Sequence, residues 1–531
     1  MRYPKLKELP ASYRTVDCFG GYNANAREDR GEFADMKNMT GDHYPVLAPR
    51  AGRGFYRRPR SPQGIIAKEQ LCYVDGEDFY CGDEKVPVNL SVKAADCPKQ
   101  LISMGAYVII LPDKKYVNTK DLTDFGDIEA EFVTEAEVSF TPCEGEEEKV
   151  RIEAPAIGAA FNLADAVSIE GVEDETLQKL CQNAVICQKG DDFIEISGTL
   201  ETPFTQNGIR VRRSMPLMDF LTESGNRLWG CRYGADEQGN FVNEIYACKL
   251  GDFRNWNCFQ GLSTDSYRAS CGTDGPFTGA CAYLGSPLFF KERCIHKIYG
   301  SYPAVFRMQD TACRGVQKGC HGSLAMVGET LLYRARGGVC AYDGSLPVDI
   351  SRPLGDCPCL QAVAGSAGDK YYISMEHPEK GWQLFVFDTV RALWHKEDDL
   401  HAVAFAALEG QLYCIDGSSC DIITMHSETG EPVQWMVQTG PIGMAGAERN
   451  YVSRLDVRLQ LEAGSQARLL VRYDSGGDWQ LLCTLFGTRL RSYCVPVRPR
   501  RCDHLELRLE GAGMAKLYSI TKKRTGGSDA R

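Results

Sequence analysis

Hydrophobic positions in this chain fall into short runs, each closed by glycine, aspartate or asparagine, and the runs come in pairs. Gln70–Gly82 is one such pair. Asn226–Gly230 with Glu244–Ala247, Pro287–Phe290 with Ile295–Gly300, Leu331–Tyr333 with Gly338–Gly344, and Gln411–Tyr413 with Ile422–Ile423 are the others. Aromatic and β-branched residues between turn formers predict antiparallel strands rather than helices. Each pair needs a neighbour to bury its faces, and radial stacking supplies one. The pattern therefore predicts an all-β fold built on a β-propeller.

The texture changes along the chain and predicts domains. Residues 1–60 read as an extended N-terminal arm with one short helical turn, laid over a neighbouring surface. Residues 61–128 hold the first blades. Longer, more acidic alternating strands over 129–214, such as Val138–Phe140 and Phe193–Ile196, predict an inserted β-barrel or sandwich, because blade loops tolerate insertions. Blades resume over 215–440. Here Ile245–Lys249 leading to Trp256 matches Leu384–Asp388 leading to Trp394. That resembles the strand-turn-Trp pattern of kelch-type blades, whose indole wedges between sheets. Beyond Gly440–Gly446, six strands of strict alternation over 447–522 predict a C-terminal β-sandwich with one face buried and one wet. Residues 523–531 read as a polar tail.

Composition narrows the function classes. The 531 residues exceed one ordinary core, and 43% hydrophobic with 25% charged residues is the balance of a soluble globular protein. No apolar run approaches the roughly 20 residues that cross a bilayer. Met1–Lys5 opens without the hydrophobic stretch of a secretory signal, so folding in a cytoplasm is expected. The 23 cysteines then predict free thiols. Cys357-Pro358-Cys359 is too tight for a zinc pair, the eight histidines lack paired spacing, and phosphate-loop and hydrolase motifs are missing. No metal and no cofactor is expected. His395 and His401 bracket Lys396–Asp399, which predicts a charged blade-edge loop ahead of a cation site. Asp474–Trp479 nearly matches the Asp-box of sialidase-type propellers, but Arg472 replaces its serine, and an ordinary hairpin tip is expected. Sialidase chemistry also needs a tyrosine with a carboxylate partner and converging arginines, and no spacing here assembles them. The chain is not expected to be an enzyme.

A net charge of −11 argues against general affinity for nucleic acid. Basic residues nevertheless cluster: Arg50, Arg53, Arg57, Arg58 and Arg60 at one place, and Arg489, Arg491, Arg498, Arg500 and Arg501 at another. They read as solvated loops, as inter-subunit ion pairs, or as a basic lining facing DNA.

The string Asn243–Trp256 with Gly261–Tyr267, joined by Phe289–Glu292, Cys313–Gly319 and Ala341–Pro347, resembles a family of structural proteins from bacteriophages and prophages of gut Firmicutes. The resemblance covers about 215–525 and, more loosely, the N-terminal arm. A wider similarity is to the propeller-bearing tail-nozzle and packaged-DNA-stabilising proteins of short-tailed phages. It implies a homo-oligomeric ring, commonly a hexamer, that extends the DNA exit channel below the portal and its adaptor. Partners would be other tail proteins such as that adaptor and a tail fibre or hub, with DNA passing transiently and no catalytic residues. The place would be the virion tail, assembled in the host bacterial cytoplasm. Two alternatives stay open: a distal receptor- or glycan-binding tail protein with an exposed cleft lined by Tyr and Trp, and a sialidase-like propeller glycoside hydrolase.

Overall fold

The computed structural model describes residues 11–26, 31–92, 98–143, 148–427, 431–443, 450–497 and 502–526. Two compact units emerge, 60–321 and 1–59 with 322–531. Both are β-structure. The fold is that of β-propeller blades with an inserted closed barrel and a C-terminal β-sandwich.

In the unit 60–321, four blades of four antiparallel strands each follow in chain order. Their innermost strands, Pro62–Ala67, Gln100–Met104, Phe220–Glu223 and Gly279–Tyr283, lie side by side. The other unit holds three more blades, with innermost strands Ala325–Val327, Ala362–Ala367 and Ala402–Leu408 arranged in the same way. All five hairpins legible in the sequence are the two central strands of a blade. A central strand has a neighbouring blade on each face, so Ser286–Lys291 and Thr330–Ala335 are buried almost throughout instead of alternating. Outermost strands such as Arg307–Ala312 are polar and wet.

Trp256 packs in the apolar layer between the second and third blades with Ile102, Tyr116, Leu228 and Tyr246. Trp394 is buried and donates its indole N–H to Ile350 O at 2.8 Å. Both indoles sit as the sequence pattern predicts.

The insertion is a closed six-stranded barrel, from Ala130–Pro142 to Phe204–Arg213, around Val138, Phe140, Ile152, Ile194 and Val211. Ala184–Lys189, not read from the sequence, is one of its staves. The short helix Glu175–Cys181 is capped by Asp174, whose carboxylate accepts from Thr176 N and Leu177 N. The acidic stretch there thus includes a helix cap.

The sandwich has two sheets, and residues assigned to the arm complete both. Ala11–Val16 pairs with Ala515–Gly526 in one sheet, and Asp35–Lys37 pairs with Gln434–Gln438 in the other. Gly52–Arg57 then supplies the outermost strand of the last blade. Three expectations are corrected here. The N-terminal segment is woven into its own chain. The described residues of the arm hold short strands and no helix, where one helical turn was expected. The last strand extends through Gly526 into the expected polar tail, with Lys522 fully buried. Residues 527–531 lie outside the described residues.

Candidate functional site

The arginines singled out by sequence divide into three groups. Arg50 and Arg53 flank the start of the strand Gly52–Arg57 and point into the loop after Leu393–Lys396. Arg50 Nε lies 3.2 Å from Glu397 Oε2 and also donates to Asn38 Oδ1 at 2.9 Å. Its Nη1 donates to Ala51 O, and its Nη2 lies 3.1 Å from Asp398 Oδ2. Arg53 grips both oxygens of Asp398 at 2.8 Å, a bidentate guanidinium–carboxylate pair. Asn38 ties the knot from the backbone, taking Glu397 O on its own N–H at 2.9 Å and donating Nδ2 to Gln434 O at 2.8 Å.

Burial pushes the Asp398 carboxyl up, but the adjoining Arg53 and Arg50 charges outweigh it and hold it below the usual carboxylate range. Glu397, deeper, is driven upward by burial in spite of both arginines. Arg50 and Arg53 are therefore both engaged by carboxylates of their own chain. Having left water, they are retained by the paired carboxylates that burial brings with them. The acidic loop bracketed by His395 and His401 does hold cations, but they are these two guanidiniums.

Arg58 makes a bidentate pair with Asp421 at 2.6 and 2.8 Å while its guanidinium stays exposed. Arg57 lies on the outermost strand of the last blade with its guanidinium 5.9 Å from the Tyr56 ring centre. Arg489 and Arg491 are exposed on the connection into the strand Arg491–Pro496. Arg498, Arg500 and Arg501 lie outside the described residues.

Neighbouring groups extend the buried polar layer. Lys370 pairs with Asp42 and reaches Thr40 Oγ1 at 3.2 Å, and Tyr372 OH meets His426 Nε2 at 2.8 Å. His395 is buried against Gly21 and Gly41, and burial, with the Lys370 charge nearby, lowers its pKa to about 4. His401 stacks on Trp382 at 4.2 Å.

One cluster escaped the sequence reading. His296 Nδ1 is 2.6 Å from Asp310 Oδ1, and its Nε2 lies 2.8 Å from Thr273 Oγ1 and 3.4 Å from Cys294 Sγ. Cys294 and His296 are two apart on one strand and share a face, which is the only signal the sequence held. The order resembles a nucleophile, base and orienter. Its electrostatics run the other way, because burial raises the thiol and lowers the imidazole. A thiolate–imidazolium pair needs both shifts reversed. Among the described residues no group of three or more His, Cys, Asp or Glu side chains is arranged to hold a metal, and no helix is long and apolar enough to cross a membrane.

No family model matches the chain, and no curated protein matches it. Among solved structures, BamB from Moraxella catarrhalis is 9% identical with a TM-score of 0.32, over 72% of this chain and 98% of that one. The sialidase of Trypanosoma rangeli is 10% identical with a TM-score of 0.26, over 90% and 96%. An exo-β-1,3-galactanase from Phanerochaete chrysosporium is 9% identical with a TM-score of 0.22, over 57% and 94%.

Proposed function

We propose that this chain is a structural component of a phage tail, a nozzle or tail-tube-extension ring subunit that lines or closes the DNA exit channel. Its partners are then further copies of itself, the portal adaptor and a tail fibre or hub, with DNA passing through. The observation that carries this reading is the stitching of the N-terminal segment. Residues 11–57 contribute strands to both sheets of the sandwich and to the last blade, and Arg50 and Arg53 fasten the same segment to Glu397 and Asp398. A wall element under pressure from packaged DNA needs its segments held by ladders and buried ion pairs, so that none peels away. Net negative charge suits the same role, since a weakly interacting lumen lets DNA slide.

Negative-stain imaging and light scattering of the purified chain test it. Closed rings are the expected result. A monomer that stays monomeric at high concentration, alone and with the adaptor protein, overturns it.

A further inference from the structure

Between the barrel and the third blade lies a cleft of about 270 Å³, near the small end of ligand pockets, which start at about 300 Å³. Its walls are fixed to each other. Arg213 Nη1 meets Asp165 Oδ2 at 2.5 Å, both buried, and Asn255 accepts from Ala166 N at 2.8 Å. Ala166, Val185 and Cys258 pack together, and Asn257 Nδ2 donates to Gln182 O at 2.9 Å. Such a cleft exists before any ligand arrives, so binding loses little to ordering.

Its lining is unusual in charge. Arg212, Arg232 and Arg268 face Glu170, Asp236 and Glu237 around one space. Three cations against three anions leave no net charge to hold an ion, and the carboxylates repel phosphate. These groups are also held in place. Arg212 Nη2 pairs with Glu170 at 2.9 Å, Arg232 donates to Asp219 and to Ala235 O, and Arg268 pairs with Glu244 at 2.7 Å. Donor and acceptor capacity remains. Arg212 Nε is buried with no hydrogen-bond partner among the described residues, and the Arg268 side chain is 54% exposed. The Glu170 carboxylate is 51% exposed. One exposed aromatic ring, Phe259, completes the set; the buried Trp256 and Tyr246 also line the cleft, and the Tyr246 hydroxyl donates to Glu244 at 2.7 Å.

We infer that this cleft binds a neutral sugar. A pyranose presents vicinal hydroxyls that both donate and accept, which fixed carboxylates and guanidiniums match in pairs. Its C–H face stacks on an aromatic ring. It carries no charge, as the balanced lining requires, and it is small. An apolar ligand would strand these polar groups, and an anion would meet three carboxylates. This inference stands whether or not the chain assembles into a ring.

The test is saturation-transfer NMR and titration calorimetry on the full chain. The probes are glucose, galactose, rhamnose, N-acetylglucosamine, lactose, cellobiose and chitobiose, with galacturonate and a DNA oligonucleotide as charged comparisons. At least one neutral probe is expected to bind. Phe259→Ala, at an exposed position, and Arg268→Ala are each expected to weaken it by about ten-fold or more, the worth of one good contact, with an unchanged circular dichroism spectrum. Three results overturn the assignment: no neutral probe binds at millimolar concentration, binding is indifferent to both substitutions, or the charged comparisons bind through this cleft instead.

Discussion

Arg50 and Glu397 meet at 3.2 Å with each side chain more than nine-tenths buried, joining the N-terminal segment to a loop of a blade. Removing one partner of such a pair leaves an uncompensated charge in low dielectric, at a cost of about 3–5 kcal/mol. Arg50→Ala is therefore expected to lower the urea midpoint strongly, and Arg50→Met with Glu397→Leu to lower it much less. Equal losses in the single and double variants would show that packing, not charge, sets the cost.

Acid is expected to destabilise the protein well above the carboxylate range. His395 has its pKa lowered to about 4 by burial, whereas in the unfolded chain it titrates near the ordinary value of about 6.5. Above that value both states are neutral. As pH falls, the unfolded chain takes up the proton first, so stability declines from about 6.5 downward and levels off below about 4. From His395 alone, the loss between pH 7.5 and pH 5 is about 2 kcal/mol. Burial lowers His296, His321, His401 and His426 in the same direction. Denaturation at pH 7.5 and pH 5 measures this, and His395→Gln should flatten the profile. Identical stability at the two pH values contradicts the assignment.

Gly21 presses the N-terminal segment onto the same blade. Its φ is +76°, and a Cβ there would sit 2.3 Å from Trp394 O, a backbone atom. Gly21→Ala is expected to cost more than the ~1–3 kcal/mol of a strained backbone alone. Gly76→Ala, with φ +61° and open space around it, should cost only the strain. Comparing thermal midpoints of the two separates clash from conformation.

What the sequence made legible follows from burial. Central blade strands such as Tyr371–Met375 are covered on both faces, so they appear as unbroken apolar runs. The barrel and sandwich strands show as alternation because one face is wet, as in Gln466–Tyr473. The N-terminal segment misleads for a physical reason. Phe33, Met36 and Met39 are buried at every third position, which imitates a helix. Bends at Ala34 and at Asn38, where φ is 56°, reset the strand alternation between them. The ionic knot was hidden by distance: Arg50 and Asp398 are 348 positions apart, and each looked like part of a separate surface cluster. The sugar cleft was hidden likewise, since its arginines come from a barrel strand and from two strands of a blade.

Thiol chemistry is expected to be slow in the native protein. Burial raises Cys248, Cys271 and Cys281 to about 12 and Cys258 to about 11, so few of these thiols ionise near neutrality. Cys18 and Cys494 are exposed. Ellman's reagent should label those two quickly and the buried set only on unfolding, reaching all 23 without prior reduction. A shortfall that reductant restores would reveal disulfides.

Exposed arginines are the part of the DNA reading that remains open to test. Arg489 and Arg491 sit on the surface of the sandwich, where substitution usually changes stability by less than about 0.5 kcal/mol. If they face the channel, each contributes a phosphate-attracting charge in an otherwise acidic protein. Arg489→Gln with Arg491→Gln, and separately neutralisation of Arg498, Arg500 and Arg501, are expected to leave folding intact and to impair retention of packaged genome. The readout is the fraction of full heads by electron microscopy, alongside a thermal midpoint for the purified variants. A variant that folds normally and yields particles with full heads shows that its arginines do not hold DNA. A variant that fails to fold instead assigns them to the sandwich, as Arg50 and Arg53 are already assigned to the blade beside them.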